Sequence, residues 1–263
     1  MKNLNFFIFY ILSVLFCFAL AGCEIDNYDA PDCTIEGTVY DHHNQPYQVN
    51  HGAEIIRIRE LSWAKDEDTY IANRTLRVQQ DGTYRNTKIF KGTYRLLPRA
   101  GAFFPYDNTY KEPSNWDDDD AGDLVEINGT AKKDFTVTPF LTIEWVRKPW
   151  IDAEGFLNCS VKFTRNQKAG YNMPNLRRAN LQVSRTVNAG AALGDLFNTQ
   201  PNITNDQEGQ EITFKTRIPL KYTGINYWVR VSIQCQQVSG DTSTNYPGID
   251  AYNYSTVEQI FVP

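Results

Sequence analysis

The sequence predicts an all-β fold, two tandem β-sandwich domains behind a short export leader. Three observations carry that expectation. The 263 residues include 15 Tyr, 15 Phe and 5 Trp but only 2 Met, and they lack the long Ala/Leu/Glu/Lys stretches of helical proteins; aromatic and β-branched side chains suit a pleated, half-buried surface. Apolar and polar residues alternate in short runs separated by turn-forming residues, which is the period of strands and not of helices. With the leader set aside, roughly 240 residues remain, about enough for two domains of ~100 residues each.

The leader spans residues 1–22. Lys2 precedes an apolar run from Phe6 to Leu20, which ends in Leu20-Ala21-Gly22-Cys23. The run is shorter than the ~20 residues a spanning helix needs and has no basic stop-transfer flank, so it reads as a secretory signal. A small-residue pair directly followed by cysteine resembles the lipobox of bacterial lipoprotein signal peptides. The resemblance implies cleavage before Cys23 and a diacylglycerol on its sulfur; Cys17 is a poor rival, because bulky Phe16 precedes it. Residues 23–32 then form the lipidated cysteine and a tether, since Glu24 to Pro31 is acidic and aperiodic, the composition of a flexible spacer. Glu24, Asp26 and Asp29 resemble the acidic pattern that, in lipoproteins of Bacteroidetes, accompanies export to the outer face of the outer membrane. A lipid-anchored, cell-surface position in the outer membrane is the expectation, and a periplasm-facing anchor is the alternative.

The first sandwich is expected over residues 33–137. Ile35, Gly37 and Val39 alternate with Thr34, Glu36, Thr38 and Tyr40, and the turn-rich Asp41 to Pro46 closes this strand. Further period-two pieces run over Ala53 to Arg59, Thr75 to Val78, Thr83 to Arg85, Lys88 to Phe90, Thr93 to Leu97, Leu124 to Ile127 and Lys133 to Val137, with Asp81-Gly82 and Lys91-Gly92 as turns. Ile35-x-Gly37-x-Val39-x-Asp41 with Pro46, then Asp81-Gly82-x-Tyr84 and Gly92-x-Tyr94-x-Leu96, resemble the carboxypeptidase-regulatory-like, transthyretin-type β-sandwich. In such a module Gly37 permits a close backbone approach inside a strand, and Tyr94 and Leu96 alternate into the core. The resemblance implies a structural or binding accessory.

The second sandwich is expected over residues 138–263. Leu141, Ile143 and Trp145 alternate, as do Leu157, Cys159, Val161 and Phe163, then Leu181 and Val183, then Tyr227, Val229, Val231, Ile233 and Cys235. Tyr227-x-Val229-Arg230-Val231 is similar to the penultimate strand of fibronectin type III and other immunoglobulin-like domains, and Phe156 to Phe163 sits where their second strand would be. Cys33, Cys159 and Cys235 are the cysteines left behind Cys23, an odd count that allows one bridge. In an immunoglobulin-like fold Cys159 and Cys235 would face one another across the core. The resemblance implies either a disulfide between them or two buried thiols packed as small hydrophobes.

Taken together, the lipobox, acidic spacer and two sandwiches resemble a family of uncharacterised Bacteroidetes lipoproteins encoded beside polysaccharide-utilisation transporters. The resemblance implies a polysaccharide or oligosaccharide as ligand, and an outer-membrane glycan transporter with its binding lipoproteins as partners. A purely structural partner of that transporter is an alternative, and a glycoside hydrolase a more distant one. The formal net charge is −5, and Lys2 departs with the leader, so nucleic acid and anionic bilayer surfaces are disfavoured while neutral or cationic partners fit.

No Gly-x-Ser-x-Gly elbow, His-Glu-x-x-His helix or Gly-x-x-x-x-Gly-Lys loop occurs, so a non-enzymatic protein without a cofactor is expected. The three histidines, His42, His43 and His51, share one turn region with Asp41; a surface metal site there lacks supporting ligand spacing, and a solvated loop is the expectation. Asp117 to Asp123 lacks the alternate spacing of a calcium loop. The long stretch Phe103 to Gly122 mixes Tyr106, Tyr110 and Trp116 with Asn and Asp side chains. Aromatic rings stack on the apolar face of a pyranose and carboxylates or amides take its hydroxyls, so these residues are candidate ligand contacts. Trp150, expected in the hairpin turn at Asp152 to Gly155, is a fourth. A glycosidase would need two carboxylates about 5–9.5 Å apart in a cleft; Glu144, Asp152 and Glu154, flanking Trp145 and Trp150, are the aromatic–acid cluster to inspect.

Overall fold

The computed structural model describes residues 30–62, 71–106, 121–190 and 201–263. The expected leader, the expected lipidation site Cys23, Tyr110, Trp116 and the run Asp117 to Asp120 lie outside the described residues. Residues 32–263 form one compact unit, whose described residues include fifteen strands joined by turns and short 3-10 segments.

The first eight strands are β1 (Cys33–Tyr40), β2 (Ala53–Glu60), β3 (Arg74–Val78), β4 (Thr83–Ile89), β5 (Gly92–Pro98), β6 (Asp123–Ile127), β7 (Thr130–Lys132) and β8 (Phe135–Thr136). They pair in the order β6-β5-β2-β3-β4-β1-β7, with β8 also on β1. At the β3–β4 hairpin Val78↔Tyr84 is the one pair left in register, and strands on both sides of this joint feed a common core that includes Ile35, Val39, Ile56, Ile58, Val78, Tyr84, Leu96 and Phe135. That is a sandwich: two layers sharing one interior. The Asp81-Gly82 turn forms because the Asp81 Oδ1 accepts from Thr83 N at 3.1 Å and Gly82 adopts φ 82°, where a side chain is unwelcome.

Two strand assignments differ from the sequence expectation. Thr83 to Arg85 and Lys88 to Phe90 join in the single strand β4, because Asn86 and Arg85 stay paired with Ile35 and Glu36 of β1. The expected strand Lys133 to Val137 shortens to β8, and β7 precedes it outside the expected span; both run parallel to β1. At the break the Asp134 carboxylate accepts from Thr38 N at 2.8 Å, taking the place of a ladder carbonyl.

The remaining strands are β9 (Leu141–Ile151), β10 (Leu157–Arg165), β11 (Asn175–Ser184), β12 (Ile212–Lys215), β13 (Ile225–Gln236), β14 (Tyr252–Tyr254) and β15 (Glu258–Val262). One sheet runs β12-β10-β9; the other runs β11-β13-β14, with β15 also on β13. Leu157, Cys159, Val161 and Phe163 of β10 meet Leu181 and Val183 of β11 and Tyr227, Val229, Val231 and Ile233 of β13 in a second core. The apolar alternation in the sequence is this inward phase, one residue in two.

The opposite phase of β11 and β13 is polar and nevertheless buried. Gln182 pairs with Arg230 and Asn180 with Ser232 across the ladder, and all four side chains, with Ser184 and Gln234, are buried. This outer face is covered from the first sandwich and from nearby loops. Arg230 reaches the Val49 carbonyl at 2.8 Å, and Gln80 Nε2 donates to the Val187 carbonyl at 3.0 Å. Gly248 lies so close to Gly101 that a Cβ there would overlap the Gly101 carbonyl. The two cores therefore meet along a polar seam.

Candidate functional site

Arg230 organises the seam. Its Nη1 donates to the carbonyls of Val49 (2.8 Å) and Ala189 (3.3 Å), its Nη2 donates to the carbonyl of Ser255 (3.1 Å), and its guanidinium lies 4.1 Å from the centre of the Tyr254 ring. Burial pulls the guanidinium down to about 10, against the opposing influence of Tyr254 and Tyr47. A planar five-donor fork can serve several carbonyls at once and still stack on a ring, which an ammonium cannot. Arg230 thus ties the segment that ends at Val49 to the segment Tyr254–Ser255.

Those two segments form walls of a cleft of about 480 Å³ where the sandwiches meet, a size within the ~300–1,000 Å³ of small-ligand sites. Asp41, His43, Gln45, Pro46, Tyr47 and Gln48 line it from the β1–β2 connection. Leu141, Thr142, Ile143 and Glu144 line it from β9, Thr164 and Asn166 from the end of β10, and Tyr254 and Thr256 from the last turn of chain, with Pro139 at the hinge.

Local bonds explain why these walls hold their shape. The Asp41 Oδ1 accepts from the backbone N–H groups of His43 (2.9 Å) and Gln45 (2.8 Å), a side-chain-closed turn of the kind Asp favours. The Asn166 amide donates to the Pro139 carbonyl at 2.9 Å and to Thr142 Oγ1 at 3.0 Å. Asn253 accepts from Leu141 N at 3.2 Å and donates to the Ala102 carbonyl at 2.8 Å. These amides are spent on the hinge. Lining groups that keep hydrogen-bonding capacity include the second Asp41 oxygen, the Gln45 amide and the Thr164 hydroxyl. The surface is mixed in character: exposed Pro46 over a floor of the buried Pro139, Leu141 and Ile143 forms its apolar strip, beside carboxylates, amides and hydroxyls.

The residues singled out from the sequence fare unevenly. Tyr106 packs against the first core: its hydroxyl donates to Asp123 at 2.8 Å, and its ring meets Phe135 edge-on at 5.6 Å. Trp150 is not in the hairpin turn. It extends β9, opposite Asn158, half-buried with the Arg147 guanidinium 3.6 Å from its ring centre. Pairing between β9 and β10 runs on to Ile151↔Leu157, so the turn begins only at Asp152.

Cys159 and Cys235 share the second core, but as free buried thiols and not as a bridge; desolvation pushes both thiols up to about 12, and neither is poised to react. Glu144 and Asp152 do not form a hydrolytic pair. Eight residues of strand separate them by roughly 26 Å, well beyond the ~9.5 Å limit for two cooperating carboxylates. Each has a cation instead, Lys162 at 3.2 Å and Lys215 at 2.8 Å, and the hydrogen bond from Lys215 holds the Asp152 carboxyl well below the usual carboxylate range. His42 and His43 stack on one another at 4.0 Å; among the described residues no group of three His, Cys, Asp or Glu side chains is placed to hold a metal ion.

The cleft itself was not foreseen. Two signals pointed toward it: an arginine in the apolar strand Tyr227 to Cys235, and the Pro139 hinge facing the turn Asp41 to Pro46.

An all-β body of two sandwich cores sharing a polar cleft defines a tandem β-sandwich protein. Residues 33–138 match the family model described as protein of unknown function (DUF3823), N-terminal domain. A DUF3823 family protein from Bacteroides uniformis is 26% identical, with a TM-score of 0.69 over 89% of this chain and 100% of that one. A second protein from Bacteroides uniformis, described as a candidate carbohydrate binding protein, is 19% identical, with a TM-score of 0.62 over 88% of this chain and all of that one. A DUF3823 family protein from Parabacteroides merdae is 18% identical, with a TM-score of 0.59 over the same share of this chain and 100% of its own. The similarity of fold thus extends through both sandwiches. No curated protein matches the chain.

Proposed function

We propose that this chain is a non-catalytic binding protein, lipid-anchored through Cys23 at the outer-membrane surface, that holds a polysaccharide or oligosaccharide in the cleft between its sandwiches. In this role it captures glycan for an outer-membrane transporter and that transporter's other binding lipoproteins. The cleft carries the proposal. Its apolar strip can take the C–H face of a pyranose, while Asp41, Gln45 and Thr164 offer acceptors and donors to the hydroxyls, the pairing of surfaces that sugar recognition requires. The fold shared with the Bacteroides uniformis protein described as a candidate carbohydrate binder supports the same reading.

Affinity electrophoresis of the chain from Glu24 onward, through gels containing neutral and acidic polysaccharides, tests it. One or more polymers should retard the wild type. Gln45→Ala and Thr164→Val should each weaken that retardation by about two- to tenfold, the worth of one hydrogen bond, whereas Trp150→Ala should leave it unchanged. Loss of binding in Trp150→Ala alone would move the site to the outer face of β9 and overturn the cleft assignment.

A further inference from the structure

We propose that the cleft selects neutral sugars and turns away acidic ones, an inference that rests on the binding reading above. The charged lining is one-sided. Asp41 stands on the wall from the first sandwich and Glu144 on the wall from the second, and among the described residues no lysine or arginine lines the space between. The cation nearest to this chemistry, Lys162, lies 3.2 Å from Glu144 with half its side chain in solvent, where such a pair is weak and screened. Arg230 is fully buried against the Tyr254 ring, its Nη1 and Nη2 bonded to three carbonyls.

What remains to meet a ligand is therefore two carboxylates, the His43 imidazole, amides, hydroxyls and apolar side chains. A neutral pyranose suits all of these: its hydroxyls donate to the carboxylates, and charge-assisted bonds of this kind are the stronger ones. A uronate or sulfate ester would instead bring a fixed negative charge within a few ångströms of two others. In a half-solvated cleft that repulsion weakens binding by on the order of tenfold to a hundredfold. The net charge of −5 opposes an anionic polymer further, from a distance and in a salt-dependent way.

The test uses a chemically matched series. The neutral polymer that retards the protein most is converted in part to its carboxymethyl derivative, and, as a steric control, to its hydroxyethyl derivative at equal substitution. Isothermal titration at low salt should show the carboxymethyl polymer binding at least about tenfold more weakly than the hydroxyethyl one. The double variant Asp41→Asn, Glu144→Gln should close most of that gap: the hydroxyethyl polymer loses affinity along with its charge-assisted bonds, and the carboxymethyl polymer, freed of the repulsion, does not. Equal or tighter binding of the carboxymethyl polymer to the wild type would overturn the selectivity and leave carbohydrate binding intact. A gap that persists undiminished in the double variant would likewise overturn it, since the carboxylates would not be its source. Failure of every polymer, neutral or acidic, to bind would remove the binding reading and this inference with it.

Discussion

At Arg230 one side chain does what a disulfide or a covalent hinge does elsewhere. Its three carbonyl partners come from three separate stretches of chain, Val49, Ala189 and Ser255, and among the described residues no carboxylate pairs with it. Arg230→Met keeps most of the volume but leaves those carbonyls without a donor, at a cost of about 1–3 kcal/mol for each buried group that water cannot reach. We expect the variant to fold, with a lowered urea midpoint and weaker glycan binding, because the wall ending at Val49 loses its tie. Arg230→Lys should recover only part of the loss, a point charge being unable to serve three acceptors and a ring. The buried cysteines make a second prediction. The thiol values of Cys159 and Cys235, near 12, lie above the ordinary value of 9.0, so between about pH 9 and 12 the unfolded chain releases protons that the native chain keeps. Stability should therefore fall as pH rises through that window. At neutral pH, Cys33, Cys159 and Cys235, all buried, should resist a thiol reagent until the chain is denatured.

Among the elements, the approach of β7 and β8 to β1 depends on one missing side chain. A Cβ on Gly37 would run into the Lys133 carbonyl, the same carbonyl that accepts the Tyr84 hydroxyl. Gly37→Ala should lower stability by roughly 2–4 kcal/mol, a large single-residue effect with a steric cause, seen as a shifted urea midpoint with little change in slope. Gly37 and Tyr84 were both visible in the sequence, and so were the inward phases of β1, β10 and β13. Period-two alternation reports burial on one face directly, which is why these elements were legible. It failed where a side chain replaced the ladder, as Asp134 does between β7 and β8, and where pairing outran the apparent turn, as at Trp150. It was also silent about the outer face of β11 and β13. Asn180, Gln182 and Arg230 look like a solvated surface in any one-dimensional reading, because their cover comes from residues more than twenty positions away. The cleft shares that cause: its lining is drawn from four separate stretches of chain, so no local motif announces it.

For the molecule as a whole, the seam decides whether two cores behave as one. The Gly101–Gly248 contact, the Asn253 bridge from Leu141 to Ala102 and the Arg230 tie all cross or flank it. We expect a single cooperative unfolding transition, with far-ultraviolet circular dichroism and tryptophan fluorescence coinciding. Arg230→Met should separate the two probes, because Trp145, Trp150 and Trp228 all report on the second core. Coincident curves in that variant would mean that the seam is held elsewhere. The face that β11 and β13 turn to the first sandwich is made of amides, hydroxyls and a guanidinium instead of leucines. Whichever half of the newly made chain completes itself first shows its partner a side that water already wets, so an unfinished molecule offers little for a stranger to stick to while it waits.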